Sequence, residues 1–575
     1  MAVGKSQKRS PFSGLASWRD GFFYDLQLNG PAPDRLIAPF ADDYQPNAQA
    51  AKALVGEWIG DKADGLLLHG DISDIARKWL ALDPGTADFA RMHSFVWLRD
   101  FAGLGEDGEL AATILIDAWL SLYSRYEPQC WALDITAERL IFLLRHAGPL
   151  LKRGDALWRS ALLSAMARQA RHLAKSANKA ETPRTRLLAA ISLTASGLLL
   201  PHHQHCAEQG CNLLRRELRL QLRQDGGHVS RNPSFQMELG LRLLALIKAY
   251  AAGGREVPGF IQHSAGKALS LVEFFRCGDG RLAVFNGACE DDKQAISVAL
   301  TSRKVERQQI DFASHTGYQK LSAARTLVLA DLGGPAAGGN PLHQLAPKKY
   351  NKQNLSQIVR PIHSHDGALS FQLSSGRHRI VVNCGAENPF HGTALINAAM
   401  GTPWQHALRQ AAAHSSLSLA DAPAEQSRCA PSLYHRLFED KHGQLLEMER
   451  TGVEHLKKAT HRRRLFLDID GDDLRGEDVF VPEERKGQVD FVLRFHLHPT
   501  IKASLSRDRR SIILVTPGRE GWRFQAGKAA LALERSIYAG AQTKRQTSQQ
   551  IVVTPYDFTG PVQIKWAFRR MKEGF

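Results

Sequence analysis

Apolar residues recur at two different spacings along this chain, and the change falls about halfway. In the first half the spacing is three and four. Trp158, Leu162, Ala165, Met166 and Leu173, with Gln169 among them, lie on one face of a helix over 156–176. Cys211, Leu214, Leu218 and Leu222 make a second stripe of the same kind. Runs at 111–123, 138–146, 187–199, 237–251 and 265–275 predict further helices, with Gly and Pro between them. Each has one apolar face to bury, so a helical array or toroid fits better than a simple bundle. From near residue 280 the period becomes two. Segments 282–285, 318–321 and 326–332 read as strands. Leu369, Phe371 and Leu373 then alternate with Ser370, Gln372 and Ser374. In 489–498, Val489, Phe491, Leu493, Phe495 and Leu497 form one face, with Asp490, Arg494, His496 and His498 on the other. Segments 511–516, 522–524 and 551–553 continue the series. The pattern predicts a multidomain α + β protein: an N-terminal extension over 1–45, a helical domain over 46–280, and stacked antiparallel sheets over 281–575.

The composition adds a partner class. Hydrophobic residues are 43% and charged residues 23% of the 575, which excludes wholesale disorder and fibrous structure. Lys and Arg number 74 against 58 Asp and Glu, a net +16, which favours a polyanionic partner. No aromatic-basic stacking module or recognition helix accompanies the charge, so nucleic acid is the weaker choice. No apolar run is long enough to span a bilayer. Seven Cys without a CxxC pair read as buried or free thiols, and the N-terminus shows no apolar segment of a secretory signal. On these grounds alone a cytoplasmic location is open.

Two segments stand out chemically. The first, Gln224-Asp225-Gly226-Gly227-His228-Val229-Ser230-Arg231-Asn232-Pro233, lies between two helices. Its glycines permit close backbone approach, and the following helix start offers free amides to an anion. The plain alternative is a capping loop, with Asp225 starting a turn and Ser230 or Asn232 capping the helix. The second, Ile362-His363-Ser364-His365-Asp366-Gly367, leads into a strand, where His363 and His365 would point the same way. His414 and Asn383 lie downstream. Two His plus a carboxylate or amide is a conceivable metal set, and surface histidine is the alternative. Weaker candidates are His202, His203, His205, Cys206 and Cys211, read as exposed imidazoles and core thiols. Asp468–Asp473 is read as a hairpin turn, and His461-Arg462-Arg463-Arg464 as a solvated strand start.

In order and wording, DGGHVSRNP (225–233), LAVFNG (282–287), TGYQKL (316–321), HSHDGALSF (363–371), RIVVNCG (379–385), AAHSSLSLAD (412–421) and HRRRLFLDIDGDDLRGED (461–478) resemble the heparinase II/III family of polysaccharide lyases, in its divergent bacterial branch. The resemblance implies an α/α toroid followed by an antiparallel β-sandwich. It also implies β-elimination on a uronic-acid-containing acidic polysaccharide, and a cell-envelope or periplasmic location. Such chemistry needs a base for the C5 proton, a group to stabilise charge on the uronate carboxylate, and an acid for the leaving oxygen.

Residue by residue, His363 matches the family's sheet-domain catalytic His. His365 and His414 match ligands of a structural Zn, and Asn383 stands where the third ligand is normally Asp. The family's Tyr after the DGG segment is replaced by Phe235, which has no proton to give. Its upstream Asn-His pair has no counterpart around 177–186 beyond Asn178. The resemblance therefore leaves His228 and His363 as the expected proton-transfer groups, with Arg231 clamping the carboxylate and Asn232 beside it. A family member that binds an anionic envelope glycan without cleaving it is the alternative.

Overall fold

The computed structural model describes residues 21–571, except 22, 41–44, 61–71, 181, 303, 334–364, 387–402, 420–431, 455, 483–488, 542–544 and 559. Helices occupy the first half and antiparallel sheets the second, as the two spacings predict. The chain divides into two compact units. One comprises residues 1–218 and 242–262; the other comprises 219–241, 263–390 and 398–575.

The helical unit owes its elements to capping and to apolar stripes. Asp155 caps the helix Ala156–Ser176 by accepting from Trp158 N–H, and the predicted stripe from Trp158 to Leu173 is buried. Helix Leu133–Arg153 is longer than the predicted 138–146, and Pro149 lies within its last turns. Pro183–Leu199 starts with Pro at its first turn and Thr182 accepting from Thr185 N–H. Every residue from Leu187 to Leu199 is buried, so this helix is covered on all sides. Buried Glu138 is held by Arg184 and Arg242. Arg139, fully buried, donates to Gln169 and to the carbonyls of His93 and Cys130, with Trp119 under its guanidinium.

The second unit contains two antiparallel sheets. One runs β1 (Phe312–Ala313), β2 (Tyr318–Ala323), β3 (Thr326–Asp331), β4 (Phe371–Ser375), β5 (His378–Val382), β11 (Phe491–Leu497), β16 (Gln546–Pro555), β15 (Ala529–Tyr538). In it β6 (Leu417–Leu419) also pairs with β11. The other runs β12 (Lys502–Leu505), β13 (Ile512–Val515), β14 (Gly521–Ala526), β17 (Val562–Arg570), β10 (Asp473–Val481), β9 (Leu456–Asp468), β8 (Gly443–Val453), β7 (Ser432–Asp440). Inward residues of both sheets, among them Phe371, Phe495, Leu465, Phe524 and Trp566, form one apolar core, as in a sandwich.

Two readings change, and one strand face gains detail. Segment 282–285 is not a strand: Leu282 makes one isolated bridge with Arg276, and 283–285 are buried chain outside any strand. On the polar face of β11, His496 is buried against Ser536 and the Ala412 carbonyl. The basic run at 461–464 is only half solvated. Arg462 and Arg464 face solvent, but His461 and Arg463 point into the core and meet Asp478. Alternation within a β-strand dictates that split.

Candidate functional site

The loop at 222–232 is shaped by its glycines. Gly226 has φ +88, and a Cβ on Gly227 would fall 1.7 Å from Thr316 Oγ1. Asp225 accepts from Gly227 N–H, from the backbone of His315 and Thr316, and from the Thr316 hydroxyl. Asn232 Oδ1 accepts from Phe235 N–H at 2.9 Å and caps the helix Pro233–Ala252. The turn-and-cap alternative describes this segment.

His228 lies behind the loop surface, 4% exposed. Its Nδ1 is 2.8 Å from Ser230 Oγ and accepts from Ser230 N–H, its Nε2 is 3.0 Å from Gln221 Oε1, and its ring meets Phe235 edge-on at 4.3 Å. Burial, and then the nearby Arg223, push its pKa down to about 3. Arg231, in the left-handed conformation, donates to the carbonyls of Thr316 and Gly317 and to Asp331, with its guanidinium over the Tyr318 ring. Burial opposes its charge, but Asp331 more than offsets that, so its pKa is raised.

Residues that the sequence reading passed over complete this network. Tyr318 is fully buried and donates to the Arg231 carbonyl; Asn286 donates to Tyr318 Oη at 2.6 Å and to Asp331 Oδ2 at 3.2 Å. Burial holds the Tyr318 pKa well above its usual value. The signal for them was present in the blocks LAVFNG and TGYQKL, which carried resemblance but no assigned role. Asn232 donates to the Asn286 carbonyl at 2.9 Å. At Gly287, φ +83, an added Cβ would meet His365 Nε2 at 3.1 Å and Asn232 Nδ2 at 3.5 Å. The glycine is the gap across which Asn232 and His365 face each other.

His365 and His414 come together from two segments. His365 opens a turn closed by Leu369, φ +61, whose N–H donates to the Asp331 carbonyl. His414 follows the short helical turn Ala411–Ala413. His365 Nδ1 lies 3.3 Å from His414 Nε2, and His414 Nδ1 lies 2.8 Å from the Gln410 carbonyl. That carbonyl requires the proton on Nδ1 of His414, which leaves its Nε2 the acceptor. Burial lowers the His414 pKa. Asn383 is adjacent in the fold, but its Oδ1 accepts from Ser415 N–H at 2.9 Å and its Nδ2 donates to Val284 O at 3.1 Å. The two imidazoles are thus arranged as metal ligands commonly are, while the amide is spent on backbone. Among the described residues no three His, Cys, Asp or Glu side chains are placed to hold a metal ion. His363 lies outside the described residues.

Comparison with known proteins places the fold. Among solved structures, a crystal structure of heparinase III superposes with TM-score 0.68 at 12% identity, over 98% of this chain and 91% of that one. Heparan sulfate lyase HepC from Pedobacter heparinus superposes with TM-score 0.58 at 14% identity, over 97% and 89%. The fold is therefore that of the heparinase III structure, a helical toroid followed by an antiparallel β-sandwich. Residues 353–567 match the family "Heparinase II/III-like, C-terminal". A curated relative, FtsZ-localized protein C of Caulobacter vibrioides, is 27% identical over 565 residues, which cover 94% of this chain and 91% of that protein.

Proposed function

We propose that this protein binds an acidic polysaccharide of the cell envelope without cleaving it, and does so at the division site. The observation that carries the reading is the use of His228 and Arg231 by the scaffold. Phe235 has no hydroxyl, His228 is buried with both ring nitrogens engaged, and Arg231 is held by Asp331 and two carbonyls. A general base must reach its proton within hydrogen-bond distance and titrate near the working pH; a buried imidazole held near 3 meets neither condition. The division site enters through the full-length similarity to the FtsZ-localized relative. The net charge of +16 suits an anionic partner.

The test is a panel of acidic polysaccharides, including heparan sulfate, hyaluronan and alginate. It is followed both by the ultraviolet absorbance of the unsaturated uronate and by affinity electrophoresis. Retardation without new absorbance is expected; a rise in absorbance would overturn the reading. Co-localisation of a fluorescent fusion with FtsZ tests the division-site part, and cell fractionation separates envelope from cytoplasm.

The lyase reading is second, favoured by the His365–His414 pair standing two residues from His363. On that reading His363→Ala lowers kcat by roughly 10²–10⁴. Elemental analysis of the purified protein tests for Zn on His365 and His414, with Asn383 the weak third position.

A further inference from the structure

The first strand of the second sheet, β7, is an open edge. It pairs with β8 on one side and is last in its sheet. Among the described residues nothing pairs with its other side. The remaining long edges differ: β12 lies against β15, and β1 is two residues long. Natural sheets protect such an edge with a proline, a bulge, a very short strand or charged side chains, and of these β7 carries only the charges of Arg436, Glu439 and Asp440. β7 runs Ser432–Asp440 without a proline, and its register with β8 is unbroken over its whole length. It also exposes Tyr434 (54%), Leu437 (37%) and Phe438 (39%).

The hairpin geometry says which backbone groups are unspent. Asp440 pairs with Gly443 across the two-residue turn Lys441-His442, so that pair is hydrogen-bonded, and the pattern alternates from there. Tyr434, Arg436 and Phe438 therefore direct N–H and C=O at β8, while His435, Leu437 and Glu439 direct theirs outward. An antiparallel partner must align outward groups with outward groups, which restricts a second copy to dyads centred on a residue. A dyad on Arg436 sets like charges directly opposite, which is unfavourable. A dyad on His435 opposes two imidazoles and leaves Glu439 and Asp440 unmatched. A dyad on Leu437 stacks Leu437 on its own copy, sets His435 opposite Glu439, and sets Arg436 opposite Phe438. Within one chain Arg436 already covers the Phe438 ring at 4.3 Å, so the contact is one these side chains make readily. Leu437 lies on the core side of the sheet, across from buried Leu446, so the pairing would continue the apolar layer.

We propose that β7 is a self-complementary interface through which two copies of this chain join their sheets edge to edge, antiparallel, about a two-fold axis at Leu437. The isologous arrangement is the one a two-fold dimer requires.

Sedimentation of the full chain over a range of concentrations should show a monomer–dimer equilibrium. Leu437→Asp places two carboxylates on the axis and should weaken the dimer by roughly tenfold or more; a circular dichroism spectrum shows whether the variant is folded. The register is read separately in a Cys429→Ser background. Hydrogen-bonded antiparallel pairs have Cα atoms about 5.5 Å apart, within disulfide reach. Mild oxidation should link Leu437→Cys into a dimer and leave Arg436→Cys unlinked. A chain that stays monomeric throughout, a dimer indifferent to Leu437→Asp, or cross-linking through position 436 in place of 437 would each overturn the proposal.

Discussion

His228 shows what a single side chain loses by becoming part of the scaffold. Gln221, Ser230 and Phe235 enclose it, so its removal leaves a cavity and takes one hydrogen bond from Gln221. His228→Ala should cost about 2–4 kcal/mol in urea unfolding, from lost packing and the lost hydrogen bonds together. Glu454 behaves in the opposite sense. It is buried, with one carboxylate oxygen accepting from Leu419 N–H and the other without a hydrogen-bond partner among the described residues, and burial pushes its pKa up to about 7. Below its unfolded value near 4.5 it is protonated in both states. Between there and about 7 only the folded state keeps the proton, so stability falls as pH rises through that window. The full loss is about 3 kcal/mol, from the size of the shift. Glu454→Gln should flatten that part of the stability–pH curve, measured by denaturant titration at several pH values.

Strands β9 and β10 carry a polar core between the sheets. Arg463 is fully buried and donates to both oxygens of Asp478 at 2.7 and 3.1 Å; His461 and the Trp566 indole complete the carboxylate's shell. Burial opposes the Asp478 charge, but Arg463 more than compensates, so its pKa lies well below the usual range. The remaining arginine nitrogen donates to the carbonyls of Leu369 and Ser415, which follow His365 and His414 in the chain. The second sheet thus holds the turns on which the imidazole pair stands. Removing one partner strands a buried charge, so Arg463→Met should cost about 3–5 kcal/mol. Arg463→Met with Asp478→Leu should cost less than the single change, a sign difference that a double-mutant cycle reads directly.

Acid sensitivity is a property of the entire chain. Burial first, with neighbouring cationic side chains second or later, pushes His93, His228 and His496 down to about 3 and His172 to about 4. His93 and His172 belong to one compact unit, His228 and His496 to the other. Each is neutral when folded and takes a proton near pH 6.5 once unfolded. Their contribution is complete above about 6.5 and is lost as pH falls toward 3–4, at up to about 1.4 kcal/mol per pH unit each. Both units should therefore melt at lower temperature at pH 5 than at pH 7, seen by calorimetry, with Glu454 offsetting only part of the fall.

Helices and sheets were legible because burial on one face writes a period into the sequence. The stripe from Trp158 to Leu173 and the alternation from Phe491 to Leu497 needed no partner to be recognised. Strands β7, β8 and β15, with their many polar residues, carried a fainter rhythm. The order of short blocks pointed to the family, and Phe235 and Asn383 marked the departures from it. Burial was not legible for single polar residues. His228, His496, Arg463 and Asp331 have the same letters as solvent-exposed residues, and nothing local distinguishes them. Their roles come from segments far apart in the chain: Arg231 meets Asp331, Asn286 meets Tyr318, and His365 meets His414. Local periodicity is a property of neighbours along the chain, so composition and spacing determined the elements and the class. Charge state and hydrogen-bond partnership depend on which distant groups share a dry interior, so only the folded arrangement decided which polar residues hold the scaffold and which remain for a ligand.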